Sequence, residues 1–463
     1  MKEYGAIVIK QSIATIKRLL EEYKDSLTHS GNMFVFVRNE YDEVGDVTGD
    51  VFDVIAHAVS MGYMYVNTIV VPTTDFINVN LPDNVVYVVW LAKDKNHYFE
   101  KDTIREDHIW EKVEWGHRTK NYNPKGKDPG NVWIPTKDDG KAHITEHILL
   151  STADVFERIY KSCHMQHLPT LFMSDEAINV KKYSDLDFLV VEDHSQRPTY
   201  NIVNIDPVGG VKKTISAEVV WGTSESMTNI SNGNIDVVVT SPPYWDLKDY
   251  FKEGQIGQES YDVYLGRLDK VWKECYDKLS NNGSLWLNIN IRVKNNSVIL
   301  IPRDFVAQCK KIGFHYKGIV IWHKSSGIPT HDKNIVDRFE FVLVFSKSPV
   351  LTIKQDITKI ADYKNSKING GLFWNINRKA GSVGKKFIHP AIYPNELVGR
   401  ILDITTNKYQ TVLDPFLGSG TTVVSAIERD RNSIGFEYNE GFKQLILSRI
   451  QNEVGKCIFN LTI

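Results

Sequence analysis

The sequence predicts an α/β protein of two related halves, each with helices layered on a mainly parallel sheet. Three observations predict this. Strand-like and helix-like segments alternate through the whole chain, as in layered α/β folds. A series of landmarks in the first half recurs in the same order in the second. Two apolar strands of the second half run into motifs suited to holding a ligand at a strand's C-terminal end.

The chain has 463 residues, more than one compact core supports, since domains usually hold ~100–200 residues. Apolar residues at 42% and charged residues at 24% describe an ordinary globular protein. A formal net charge of −2 argues against a blanket nucleic-acid binder but leaves room for a local basic cleft. Cys163, Cys275, Cys309 and Cys457 show no Cys-x-x-Cys pairing. No zinc or other metal site and no disulfide framework is expected, and a reducing cytoplasm is. The first twenty residues have a helical charge pattern and no signal-peptide core. No apolar run approaches the ~18 residues that cross a bilayer, so no membrane role is expected.

The repeat runs as follows. Residues 12–37 around Gly31 and 264–289 around Gly283 each read as a helix, a glycine turn and a short strand. Gly62-Tyr63-Met64-Tyr65 and Gly313-Phe314-His315-Tyr316 follow, then the strands Thr68–Val71 and Ile319–Trp322. A second strand ends in Lys93 or Lys347. Next come turns containing Trp133 or Trp374, then helices containing Arg158 or Arg400. The boundary is expected near 195–210, giving domains 1–200 and 201–463. The first half lacks the motifs described next. Its match to Ser241 is expected to fall before residue 1, and its match to Asp414–Thr422 is Phe172–Val180, which holds no glycine.

Ile235 to Val239 is a β-branched run typical of a buried parallel strand, and it continues into Thr240-Ser241-Pro242-Pro243-Tyr244-Trp245. The prolines take the chain rigidly out of the sheet. Ser241 and nearby carbonyls can then accept hydrogen bonds from an amine, and Tyr244 offers a face for a flat base held out of its stack. The second motif is Thr411 to Thr422: a strand ending in Asp414, then Pro415-Phe416-Leu417-Gly418-Ser419-Gly420-Thr421 and a helix from Thr422. The glycines let the backbone approach a ligand, and no lysine follows them as in a phosphate loop. Gly435-Phe436-Glu437 closes the next strand, where Glu437 can accept from both ribose hydroxyls of an adenosine-containing cofactor.

Together these strings resemble the amino-methyltransferases of restriction–modification systems, over roughly residues 215–450. That family combines a cofactor motif of Asp-Pro-Phe-x-Gly-Ser-Gly-Thr type with a catalytic (Asp/Asn/Ser)-Pro-Pro-(Tyr/Phe/Trp). Here the catalytic string comes first, the circularly permuted order of the β class. His389-Pro390-Ala391-Ile392-Tyr393-Pro394 looks like the family's element beside the methionine end of the cofactor. The resemblance implies a Rossmann-like S-adenosylmethionine-dependent fold. It implies catalysis by Ser241, Pro242, Pro243 and Tyr244. It implies cofactor binding by Thr240, His389, Pro394, Asp414, Pro415, Phe416, Gly418, Ser419, Gly420, Thr421, Thr422 and Glu437, with Asp414 acting indirectly or on the amino group. A serine at Ser241 usually accompanies cytosine N4 methylation in the family. Adenine N6 methylation is the alternative, and a catalytically inactive DNA-binding protein is the alternative of another class.

The resemblance also implies a double-stranded DNA substrate and a cognate restriction endonuclease acting separately. It places target readout in the segment 348–388, where Lys364, Lys367, Arg378, Lys379 and Lys385 suit phosphate and guanine contacts. The matching stretch of the first half, with Trp115, Arg118 and Lys120, interleaves basic and aromatic residues as a DNA surface does. The first half is thus expected to be a degenerate copy that binds no cofactor and makes the monomer an internal pseudo-dimer, with a homodimer as the other possibility. A prokaryotic cytoplasm is the expected location.

Overall fold

A computed structural model describes residues 2–77, 79, 81–106, 123, 125–138, 145–175, 186–190, 215–247, 252–295, 297–324, 334–360, 370–377, 382–383, 387–388, 393–454 and 459–462. The expected boundary at 195–210 lies outside them. In chain order the first half gives β1 (Tyr4–Lys10), α1 (Ile13–Glu22), β2 (Leu27–Val37) and a hairpin of β3 (Glu40–Tyr41) and β4 (Val47–Gly49). Then come α2 (Val51–Ser60), β5 (Met64–Ile77), β6 (Asp83–Ala92), a hairpin of β7 (Thr136–Asp138) and β8 (Thr145–His147), α3 (Thr152–Cys163), β9 (Thr170–Ser174) and β10 (Leu186–Val190).

The second half opens with β11 (Ile215–Trp221), β12 (Ile235–Thr240), α4 (Tyr261–Lys278) and β13 (Leu279–Ile289). A hairpin of β14 (Arg292–Lys294) and β15 (Ser297–Ile299) leads to α5 (Ile301–Ile312), β16 (His315–His323) and β17 (Phe339–Ser346). It continues with β18 (Phe373–Asn375), β19 (Ser382–Val383), β20 (Phe387–Ile388), α6 (Asn395–Thr405) and β21 (Thr411–Asp414). Last are α7 (Thr421–Glu428), β22 (Asn432–Glu437), α8 (Lys443–Glu453) and β23 (Phe459–Thr462).

The first sheet runs β10-β9-β1-β2-β6-β5 and the second contains β22-β21-β12-β13-β17-β16 in that order. In both, the last two pairings are antiparallel and the others parallel. The second sheet adds β18 at one edge and β11 and β23 at the other. It is a Rossmann-like α/β sheet. In the first half, alternate residues of β1 serve opposite faces. Ile7 and Ile9 pack with α1 and α2, whereas Ala6 and Val8 pack with α3.

The likeness extends to atoms. Tyr4 pairs with Leu27 and Ala6 with Asn32; Ile235 pairs with Leu279 and Val237 with Ser284, so the same irregularity sits at the same place. A Cβ on Gly31 would lie 2.7 Å from the Leu27 side chain, and one on Gly283 2.7 Å from that of Leu279. Lys93 Nζ donates to Leu27 O at 2.7 Å, and Lys347 Nζ to Leu279 O at 2.7 Å. The Arg158 guanidinium stands 5.2 Å from the Trp133 ring centre, and that of Arg400 5.3 Å from Trp374.

One expectation is corrected. The match to Ser241 does not fall before residue 1, because β1 is the counterpart of β12. Ala6 and Val237 both follow the irregularity, and four residues on stand Lys10 and Ser241. Residues 4–10 form a strand, with the helix confined to 13–22. The charges of Lys2, Glu3 and Lys10 flank a buried apolar run and imitate a helical pattern.

The halves meet crosswise. Helix α2 touches α5, β4 lies against β16, and β15 against β5. Phe52 packs edge-on to Phe341 at 5.0 Å, and Tyr316 OH donates to Asp50 at 3.2 Å. A single apolar core includes Ile7, Phe52 and Val70 together with Val238, Trp286 and Ile321.

Candidate functional site

Strands β12, β21 and β22 end side by side, which brings the two motifs together. Asp414 closes β21 with no solvent exposure. Its Oδ1 accepts from Thr240 Oγ1 at 2.7 Å and Phe416 N at 3.0 Å. Its Oδ2 accepts from Thr422 Oγ1 at 2.6 Å and Tyr393 OH at 2.9 Å. Burial pushes the carboxyl pKa up, and these donors only partly oppose it. A carboxylate has about four acceptor positions, and the chain fills them. Asp414 thus clamps together the end of β12, the start of α7 and Tyr393. It is not a helix cap: the N-cap of α7 is Gly420.

Gly418 and Gly420 take φ of 55° and 83°, in the left-handed region that glycine alone enters without strain. The loop rests on Arg449, which is fully buried. Arg449 donates to Ser419 O at 3.1 Å, Ser419 Oγ at 2.8 Å and Thr421 Oγ1 at 2.7 Å, and pairs with Glu453 at 2.8 Å. Ser419, Thr421 and Thr422 are buried, so they shape the loop from beneath. Glu437, at the end of β22, accepts from Gly418 N at 2.8 Å and Asn439 N at 2.7 Å. Burial raises its pKa to about 7, against those two bonds. Pro415 is buried, Phe416 and Gly418 are partly exposed, and Pro394 directly precedes α6.

Beyond β12, Ser241 is half-buried, Pro242 buried, and Pro243 and Tyr244 half-buried. Tyr264 OH donates to Pro243 O at 2.6 Å, fixing the proline turn. Trp245 sits at φ 50° and donates its indole N–H to Glu259 O at 2.8 Å. Tyr244 OH donates to Glu340 Oε2 at 2.8 Å. Asn288 Nδ2 reaches the same oxygen at 2.8 Å, Tyr244 OH at 3.1 Å and Ser241 Oγ at 3.4 Å. Lys324 closes an ion pair with Glu340. Burial pushes the Glu340 carboxyl up, but Lys324, Tyr244 and Asn288 outweigh it and hold the pKa below the usual range.

The structure thus brings Thr240, Ser241, Pro242, Pro243 and Tyr244 together with Asp414, Gly418 to Thr422 and Glu437. Sequence reasoning missed Asn288, Lys324, Glu340 and Arg449, and it named Tyr393 within the His389–Pro394 element without its bond to Asp414. A lone carboxylate inside the apolar run from Phe339 to Phe345 was the available signal for Glu340. Of the expected residues, His389, Lys364, Lys367, Arg378, Lys379, Lys385, Trp115, Arg118 and Lys120 lie outside the described residues. Among the described residues no group of three or more His, Cys, Asp or Glu could hold a metal ion, and no helix is long and apolar enough to cross a membrane.

The first half places different residues at the same registers. Phe172 stands where Asp414 stands, Val190 for Glu437, Phe36 for Asn288, Val86 for Glu340 and Lys10 for Ser241.

Residues 235–448 match the model of a DNA methylase family covering N6 and N4 enzymes. The chain is 28% identical over 260 residues to the type II methyltransferase M.Cfr9I of Citrobacter freundii, covering 49% of this chain and 85% of that one. It is 32% identical over 252 residues to M.MwoI of Methanothermobacter wolfeii, covering 51% of this chain and 35% of that one. Among solved structures, the cytosine-N4-specific PvuII DNA methyltransferase matches at 19% identity and a TM-score of 0.42, over 54% of this chain and 95% of that one.

Proposed function

We propose that this protein, whose residues 235–448 match the model of a DNA methylase family, transfers a methyl group from S-adenosylmethionine to the N4 amine of cytosine in double-stranded DNA. The observation that carries the reading is the bond from Thr240 to Asp414, which ties the catalytic string to the cofactor loop.

The residues present fit that cofactor. Glu437 is partly exposed and keeps acceptor capacity beyond its two backbone donors, as ribose hydroxyls need. The loop from Gly418 to Gly420 brings backbone close to the same place. Bound there, the cofactor supplies an electrophilic methyl on its sulfonium.

The chain's own part is to make a poor nucleophile attack. The lone pair of the cytosine amine is delocalised into the ring. Acceptance of its protons by Ser241 Oγ and the Pro242 carbonyl favours pyramidal geometry and frees the lone pair for in-line attack. The Tyr244 ring stacks on the flipped base, and its hydroxyl is anchored to Glu340 so that the ring holds one orientation. Positioning and charge complementarity carry the rate, without a covalent enzyme intermediate. The first half serves as a built-in partner in place of a second catalytic copy, and a cognate endonuclease acts as a separate protein.

Nucleoside mass spectrometry of DNA from cells expressing the chain tests this. N4-methylcytosine that disappears with Ser241→Ala, while cofactor binding persists, is the expected result. N6-methyladenine would move the target to adenine; methylation that persists in Ser241→Ala would overturn the assignment of Ser241.

A further inference from the structure

The wall behind Tyr244 is built where the two halves touch. Asn131 of the first half is 3% exposed. Its backbone N–H donates to Val336 O at 2.9 Å, and Val336 N returns a bond to Pro129 O at 3.0 Å. Asn131 Oδ1 accepts from Arg338 N at 2.8 Å, and Nδ2 donates to Asp337 Oδ1 at 3.0 Å and Asn67 Oδ1 at 3.1 Å. One donor facing the amide oxygen and two acceptors facing the amide nitrogen fix its orientation. Arg338 also reaches Asp128 O at 2.9 Å, and a Cβ on Gly130 would lie 2.5 Å from Arg338 Cδ, so the contact leaves no spare room.

This grip falls on residues that hold the catalytic string. Lys324 N donates to Arg338 O at 2.6 Å. Lys324 pairs with Glu340, two residues beyond Arg338, and Glu340 anchors Tyr244 and Asn288. Among the described residues, the bonds that hold Asp414, Glu437 and the loop from Gly418 to Thr421 come from the second half.

We infer that Asn131 is a positioning residue for methyl transfer: the first half sets the start of β17, and through Lys324 and Glu340 it fixes the pose of Tyr244 and Ser241. The inference rests on the methyltransferase reading. It gives the catalytically empty half a task in the chemistry, separate from any contact it makes with DNA.

The test uses the full chain and methyl transfer from labelled S-adenosylmethionine to DNA. Asn131→Ala is expected to lower kcat tenfold or more and leave the cofactor Kd within twofold. Asn131→Asp keeps the acceptor for Arg338 N but sets a carboxylate oxygen against Asp337 Oδ1 and Asn67 Oδ1, so it is expected to lower kcat at least as far as Asn131→Ala. Asn84→Ala is the control. It breaks another crossing between the halves, where Asn84 accepts from Leu372 N at 3.0 Å and donates to Gly370 O at 3.2 Å, and is expected to lower Tm without lowering kcat. In a Glu340→Gln background, Asn131→Ala is expected to add less than threefold, because both changes act on one chain of contacts. Wild-type kcat in both Asn131 variants, or an equal loss in Asn84→Ala, overturns this inference alone. A wild-type chain that transfers no methyl group overturns it together with the proposed function.

Discussion

The two halves share a strand order, a register irregularity, a pair of lysine-to-carbonyl bonds and a pair of arginine–tryptophan stacks, yet differ where a ligand would sit. Asp414, Glu437, Asn288 and Glu340 in one sheet face Phe172, Val190, Phe36 and Val86 at the same registers of the other. The frame is held by apolar packing and backbone ladders, which need none of the site residues. The site needs buried polar groups, and each is costly unless partnered. The first half carries apolar residues at these registers and keeps the same frame. The shared core means the first half cannot simply be cut away, since its removal would expose residues such as Phe341 that pack on Phe52.

The largest effect that sharpens this contrast belongs to Asp414→Ala. It strands the donors of Thr240, Thr422 and Tyr393, at about 1–3 kcal/mol each. Loss of several kcal/mol in a denaturation curve and loss of measurable cofactor binding are expected. Phe172→Leu at the matching register is expected to cost about 1 kcal/mol of packing and leave cofactor binding unchanged. Equal effects on cofactor binding would break the comparison. Next, Tyr244→Phe keeps the stacking ring and removes its bond to Glu340. About a tenfold fall in kcat is expected, roughly 1.4 kcal/mol, with the cofactor Kd unchanged.

A smaller effect is pH-dependent. The Glu437 pKa is raised to about 7 by burial, so the unliganded carboxyl is protonated below that pH and charged above it. The raised pKa means its stabilising share is full at low pH and is lost as pH rises through about 7. On the proposed reading cofactor binding has the opposite sign, because ribose hydroxyls would donate to the Glu437 carboxylate. Calorimetry is expected to show binding about tenfold weaker at pH 6 than at pH 8, with proton release at pH 6, and Glu437→Gln should flatten both. The smallest effect is Lys10→Ala. Its ion pair with Asp175 at 3.3 Å is only partly buried, so about 0.5 kcal/mol and no change in kcat are expected.

Much of this was legible in the sequence. The strand–Pro-Pro turn and the strand–glycine loop announce themselves because their local backbone demands particular residues. The repeat was legible from its glycines and tryptophans. The first strand was not, because a seven-residue strand between charges has too few positions to separate its period from a helix's. Asn288, Lys324 and Glu340 were not, because each is a single polar residue whose partner comes from another strand. Arg449 carries no local signal, since its role depends on α8 passing beneath the loop from Ser419 to Thr421. The role of Asp414 was only half legible. The motif marks it as necessary, but the filled acceptors that make it a clamp appear only in three dimensions.

The central claim is one competent site in a chain built as two similar halves. Calorimetric titration of the intact protein with S-adenosylmethionine tests it most directly. One cofactor per chain is predicted, abolished by Asp414→Ala and untouched by Phe172→Leu; two per chain, or one that survives Asp414→Ala, would contradict it.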